Sequence, residues 1–228
     1  QAVFENPLID LKAAKGGTGR AQKIISRFFS DREVMMVLET CDENREHSPR
    51  DKAVAARDAA IIRLMRNQGL RISEVAGLDM SDLNPAAGEC GTLTLRHAKG
   101  DKTRTILLTE KTRACLDRWL MYRALKRTTT TAIFVSLHEG GNYANGDRLS
   151  VRSVRAMFDQ KQKQVGIKQP GRSAHGLRHS YATRAMMEDP SQLRALSHSM
   201  GHSGITVTEG YVDAAQLIDE NPAKLADL

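Results

Sequence analysis

The sequence predicts a mainly α-helical domain with one small antiparallel β-sheet, an α+β fold. Most apolar residues recur at three- and four-residue intervals behind recognisable caps, which is helical spacing. One long stretch, "TLTLRHAKGDKTRTILLT" (92–109), instead alternates with period two about a Gly-Asp turn, as a hairpin does. With 228 residues, 40% apolar and 27% charged, the chain is long enough for one sizeable core or two small ones.

Residues 1–27 contain Asn-Pro, a Gly-Gly-Thr-Gly cluster and scattered Lys/Arg, and read as an interdomain linker ahead of a domain over 28–228. Ser30 is an N-cap with Glu33 as its capping-box partner, opening a helix that carries Val34, Met35 and Leu38. After the charged loop "DENREHSPRDK", a helix is expected over 54–67, with Gly69 as its stop signal. Ser73 then caps a short helix, the hairpin follows, and a helix spans 111–125. The apolar run "TAIFVSL" reads as a third strand. Residues 149–167 form an amphipathic helix with Val151, Val154, Phe158 and Val165 inward and Arg148, Arg152 and Arg155 on the opposite face. A helix at 192–200 ends at Gly201, and a short one leads to Tyr211.

No apolar run approaches the roughly 18 residues of a membrane helix. Cys41, Cys90 and Cys115 are odd in number and far apart, against a disulfide framework and in favour of a reducing cytoplasm. The chain opens on Gln1 rather than Met, as a piece of a longer protein would. The net charge of +7 is concentrated. Residues 145–185 hold nine Lys/Arg against Asp147 and Asp159, whereas 186–228 hold seven acidic residues against Arg194 and Lys224. A basic segment before an acidic tail suggests one surface for a polyanion and another for protein.

In "AHGLRHSYAT" (174–183), His175, Arg178 and His179 fall one turn apart. The pairs His175/His179 and His198/His202 have the i, i+4 spacing of zinc ligands, but no HExxH glutamate or nearby cysteine accompanies them. A guanidinium also sits poorly beside a metal, because it keeps its charge. A phosphodiester in transfer gathers negative charge on its non-bridging oxygens, and arginine forks match that geometry. Arg71 and Arg178, on different elements, form such a clamp. Glu74 stands where it can orient Arg71.

With these residues in place, the chain resembles the catalytic domain of the tyrosine recombinases, the family of phage-type integrases. "GLRISEVAGL" matches the family's first-arginine box and "AKGDKTRTILL" its lysine-bearing hairpin. "HGLRHSYATR" matches its His-x-x-Arg box, and "MGHSGITVTEGY" its closing His and Tyr, nine residues apart. The four occur in family order from Phe29 to Tyr211.

The resemblance implies the family's catalytic-domain fold and cofactor-free, metal-free breakage and rejoining of double-stranded DNA. Tyr211 is the implied nucleophile, forming a 3′-phosphotyrosyl link and freeing a 5′-hydroxyl. Arg71 and Arg178 hold the phosphate, His175 manages the phenolic proton, Lys99 protonates the leaving oxygen and His202 adds a hydrogen bond. His179 is given only a packing role. Lys102 is the rival catalytic lysine at the hairpin tip and a DNA contact, with Arg148, Arg152 and Arg155. Gly210 is expected to loosen the Tyr211 segment. The acidic tail, about 212–228, is expected to dock on a neighbouring protomer in a tetramer assembled on DNA, in the cytoplasm at the nucleoid. The family's separate N-terminal DNA-gripping domain is expected to be missing from this chain. The alternatives are a type IB topoisomerase-like nicking–closing enzyme and an inactive DNA-binding relative.

Overall fold

The computed structural model describes residues 19–42, 48–98, 102–125, 128–137, 146–201 and 206–220. Ser30 caps α2 (Asp31–Glu39) as its sequence foretells: its hydroxyl accepts from the Glu33 amide at 3.2 Å, and the Glu33 carboxylate accepts from the Ser30 amide at 2.9 Å. The same carboxylate accepts from Nη1 and Nη2 of Arg172, a fully buried cation stacked 4.0 Å from the Phe29 ring centre. One capping residue thereby ties two distant segments together.

Helix α3 (Pro49–Asn67) begins earlier than the apolar periodicity implies, because Ser48 and Asp51 form a capping box with Pro49 at the first helical position. It packs on α5 (Glu110–Ala124) and on α7 (His175–Glu188). Short α4 (Ile72–Gly77) follows Gly69, and its N-cap is Arg71, not Ser73. The hairpin forms as expected from β2 (Thr92–Ala98) and β3 (Lys102–Leu107), paired antiparallel with Leu93 opposite Ile106.

The third strand is not "TAIFVSL". It is the two-residue β1 (Leu83–Asn84), which pairs with β2 to give the order β1-β2-β3. In the apolar run, Ile133 bonds Leu78 on one side and Phe134 accepts from Leu149 on the other, so each flank makes an isolated bridge instead of a ladder. Ile133, Phe134 and Val135 are nonetheless buried, and the Trp119 indole donates to the Ile133 carbonyl at 2.9 Å.

Helix α6 (Val151–Gln164) buries Val154 and Phe158 as its stripe predicts. Together with α2, α3, α5 and the sheet it encloses the larger core. A second core gathers α7, α8 (Leu193–Ser199) and α9 (Thr206–Asp219). Its fourth wall is α1 (Gly19–Ile25), a helix inside the expected linker that buries Ala21, Ile24 and Ile25. Two isoleucines with a small alanine one turn before them suffice to dock one short helix.

Gly176, in the first turn of α7, lies where a Cβ would meet the Arg27 carbonyl oxygen at 2.4 Å and the Phe29 ring at 2.5 Å. Neither neighbour is a flexible chain end. Gly176→Ala is therefore expected to destabilise the fold by about 1–3 kcal/mol despite the better helix propensity of alanine, read as a lowered urea midpoint.

Candidate active site

The site is built around the carboxyl end of α8, where the last carbonyls have no partner within the helix. Three arginines from three elements take three of them in succession. Arg104 of β3 donates from Nε to Ser199 at 2.8 Å, Arg178 of α7 from Nη2 to Met200 at 2.6 Å, and Arg71 from Nη2 to Gly201 at 3.1 Å. Arg178 also donates to the Gly69 carbonyl through its other fork nitrogen. Cations at a helix C-terminus are favoured by the dipole as well as by the hydrogen bonds.

Two glycines make this arrangement possible. Gly201 adopts φ 61°, and a Cβ there would press on the Arg104 guanidinium at 3.0 Å. Gly69 adopts φ 65°, and a Cβ there would strike the Tyr181 ring at 2.4 Å.

Glu74 holds two of the three arginines. Its carboxylate accepts from the Arg71 amide (2.7 Å) and Nη1 (2.8 Å), and from Arg104 Nη2 at 2.9 and 3.0 Å. Burial works to raise its pKa, but the Arg71 hydrogen bonds and the Arg104 charge outweigh that and hold the carboxyl below its ordinary value. Burial, then the like charge of Arg71, pushes the Arg178 guanidinium down to about 10, which leaves it cationic at neutral pH. Three guanidiniums against one carboxylate give the cradle a surplus of positive charge among the described residues.

Tyr211 projects from α9 into this cradle, only 4% exposed. Burial raises its phenol pKa, while Arg178 and then Arg71 pull it down, so both cations act on the hydroxyl electrostatically. His175 lies at the open rim. Desolvation by its surroundings, then the charges of Arg178, Arg27 and Arg71, hold its imidazole below the usual value, neutral at pH 7. Its ring meets that of His179 edge-on at 4.7 Å. His179 in turn places Nδ1 2.9 Å from the Tyr211 hydroxyl.

Arg71, Glu74, His175, Arg178 and Tyr211 thus converge. Lys99 and His202 lie outside the described residues, and Lys102 heads β3. Arg152 and Arg155 are exposed on α6. Arg148 is not their companion: it precedes the Ser150 N-cap, pairs with Asp79 and donates to the Ala76 and Leu78 carbonyls, so its guanidinium pins the end of α4. The tail does not begin at 212 either, because Tyr211 is mid-helix and Ala214, Ala215 and Ile218 are buried in the molecule's own second core. At Gly210 a Cβ would meet the Arg20 side chain at 2.6 Å, so the residue marks a close approach of α1 to α9. Among the described residues no three His, Cys, Asp or Glu side chains gather as a metal site, and no helix is long and apolar enough to cross a membrane.

Sequence reasoning missed two residues of the cradle. Arg104 falls on the same strand phase as Ile106 and Leu108, both buried, so an arginine in the inward register of the hairpin was the available signal. His179 is i+4 from His175, a spacing that by itself suggests only zinc.

Residues 27–217 match the model of the phage integrase family. The tyrosine recombinase XerC of Azotobacter vinelandii is 36% identical over 163 residues, which are 71% of this chain and 49% of the relative. That of Actinobacillus pleuropneumoniae is 32% identical over 206 residues, 90% of this chain and 59% of the relative. The chain belongs to the phage integrase family, and it spans about half the length of these relatives. The same fold occurs in the XerH site-specific recombinase in a post-cleavage complex with difH DNA (TM-score 0.68, 22% identity, 88% of this chain and 53% of that one). It occurs also in the catalytic domain of bacteriophage HP1 integrase (TM-score 0.53, 22% identity, 86% and 96%).

Because Glu74 titrates below its unfolded value of 4.5, its contribution to stability is complete above about pH 4.5 and fades as pH falls through the lowered folded value. Glu74→Gln is expected to cost about 3 kcal/mol at pH 7, since buried Arg104 and half-buried Arg71 lose their counter-charge. Urea titrations at pH 7 and pH 3 should show the gap between wild type and variant narrowing in acid.

Proposed function

We propose that this domain cuts and reseals double-stranded DNA at specific sites, with Tyr211 as the nucleophile. What carries the reading is a buried phenol whose hydroxyl feels two clustered guanidiniums that have more positive charge than their one carboxylate can neutralise. A phosphodiester is the ligand such a surplus fits. Its two non-bridging oxygens need planar donors, and its phosphorus must lie within reach of the tyrosine oxygen.

In this reading Arg71 and Arg178 stabilise the charge that develops on the phosphate in the transition state. Glu74 and Arg104 act through Arg71, fixing the plane of its fork. His175, neutral at the rim, serves as proton manager. Lys99 gives a proton to the departing 5′-oxygen, and His202 adds a hydrogen bond to the phosphate. The covalent phosphotyrosyl bond stores the energy of the broken phosphodiester, so resealing needs no separate energy source. Lys102, Arg152 and Arg155 contact the DNA backbone. The whole protein is a tetramer on DNA in the cytoplasm, with any exchanged tail restricted to residues beyond the end of α9. XerC-named relatives and the DNA-bound XerH support this reading.

A nicked duplex carrying candidate sites traps the covalent adduct when the cut fragment diffuses away. Wild type is expected to form a protein–DNA adduct with chelator present, and Tyr211→Phe none. Arg71→Ala or Arg178→Ala should lose about 10²–10³-fold in adduct formation, the cost of one transition-state donor. Binding without adduct on every site, by this domain and by the longer protein, would leave only a DNA-binding relative. For the α6 face, Arg152→Ala with Arg155→Ala should lower the slope of log affinity against log salt by about 2, one for each phosphate no longer neutralised.

A further inference from the structure

His179 has no part in the scheme above, although it makes the hydrogen bond to the nucleophile. Its Nδ1 stands 2.9 Å from the Tyr211 oxygen, with the two rings tilted by 41° and their centres 5.7 Å apart. Both residues sit on packed helices, α7 and α9, so the contact is held by the scaffold rather than by a loop.

A buried phenol is protonated at neutral pH, and burial raises the Tyr211 pKa further. Arg178 and Arg71 offset part of that rise while the cradle is empty. Once a phosphodiester anion lies between them, their charge is shared with the anion and the offset shrinks. Attack therefore needs an acceptor already in contact with the phenolic proton. His175 meets His179 edge-on at 4.7 Å on the open side, whereas His179 holds the bond to the hydroxyl.

We propose that His179 is the proton acceptor for the Tyr211 nucleophile. As the tyrosine oxygen bonds to phosphorus, the phenolic proton passes to Nδ1 and the bond from phosphorus to the 5′-oxygen breaks. The departing oxygen takes its own proton from the site's acid and leaves as a hydroxyl. In resealing the steps reverse: the incoming 5′-hydroxyl returns its proton to that acid, the phosphorus–tyrosine bond breaks, and Nδ1–H reprotonates the phenol. His175 then manages the proton at one remove, through its edge-on contact with the acceptor ring, and does not take it directly from the phenol. The proposal rests on Tyr211 being the nucleophile.

The test uses the full chain on a nicked duplex that wild type converts to adduct, with single-turnover rates for wild type, His179→Ala, His179→Asn and Tyr211→Phe. Asparagine places an amide oxygen near the position of Nδ1, where it accepts a hydrogen bond but not a proton. Both histidine variants are expected to be slower by about 10²-fold or more, with unchanged DNA binding, and imidazole in the buffer should accelerate His179→Ala in a dose-dependent way. Wild-type speed in His179→Asn would overturn the proposal, because holding the hydroxyl would then be enough. So would a folded His179→Ala within about threefold of wild type, well short of a general base's contribution. An adduct that survives Tyr211→Phe would instead remove the nucleophile assignment on which the proposal stands.

Discussion

The arrangement of the site depends on the three carbonyls that end α8. Ser199, Met200 and Gly201 each receive a guanidinium from a different part of the chain: β3, α7 and the start of α4. Arginines alone would repel one another there. They are held because the helix end supplies negative dipole and open acceptors, and because Glu74 places a full negative charge between two of them. Either partner without the other fails. Carbonyls without Glu74 leave three cations together, and Glu74 without the carbonyls leaves the forks free to rotate.

That balance is incomplete by the nature of the parts present. One carboxylate cannot neutralise three guanidiniums, and the surplus is stored in a partly dehydrated cradle where Coulomb interactions are strong. An incoming phosphate therefore gains more there than at an exposed cluster of the same arginines, because the desolvation of Arg178 was met during folding. Desolvation first, and then the charges of Arg178, Arg27 and Arg71, hold the His175 imidazole below its usual value. The cradle's positive charge thus favours an anion and adds to the desolvation that lowers the neighbouring His175 imidazole.

The sequence revealed residues whose roles are local and hid those whose roles depend on tertiary register. Ser30 with Glu33, the hairpin alternation and the α6 stripe were legible because capping and periodicity are properties of a few consecutive residues. Arg71, Glu74, His175, Arg178 and Tyr211 were legible because their boxes match a family in order. "TAIFVSL" misled because burial and strand pairing share one apolar signature; the run is buried, but its backbone divides its bonds between two neighbours. Arg148 misled because a helical wheel does not show where a helix begins. Glu33 carries a role no pattern displays, serving as cap and as counter-ion to a buried arginine 139 positions away.

The helix that bears Tyr211 shows how far local reasoning can point in the wrong direction. A glycine before a nucleophile suggests freedom, since glycine costs a helix about 1 kcal/mol relative to alanine. Here the missing Cβ admits the Arg20 side chain instead, and Arg20 goes on to donate to the Thr206 carbonyl at 2.6 Å in the first turn of α9. Ile24 of α1 and Met186 of α7 share the core that contains Tyr211. Helix α9 is therefore packed against α1 and α7, with the Tyr211 hydroxyl hydrogen-bonded to His179. For the nucleophile role proposed for Tyr211, such packing removes rotational freedom before substrate arrives. Glycine contributes here by letting two helices approach.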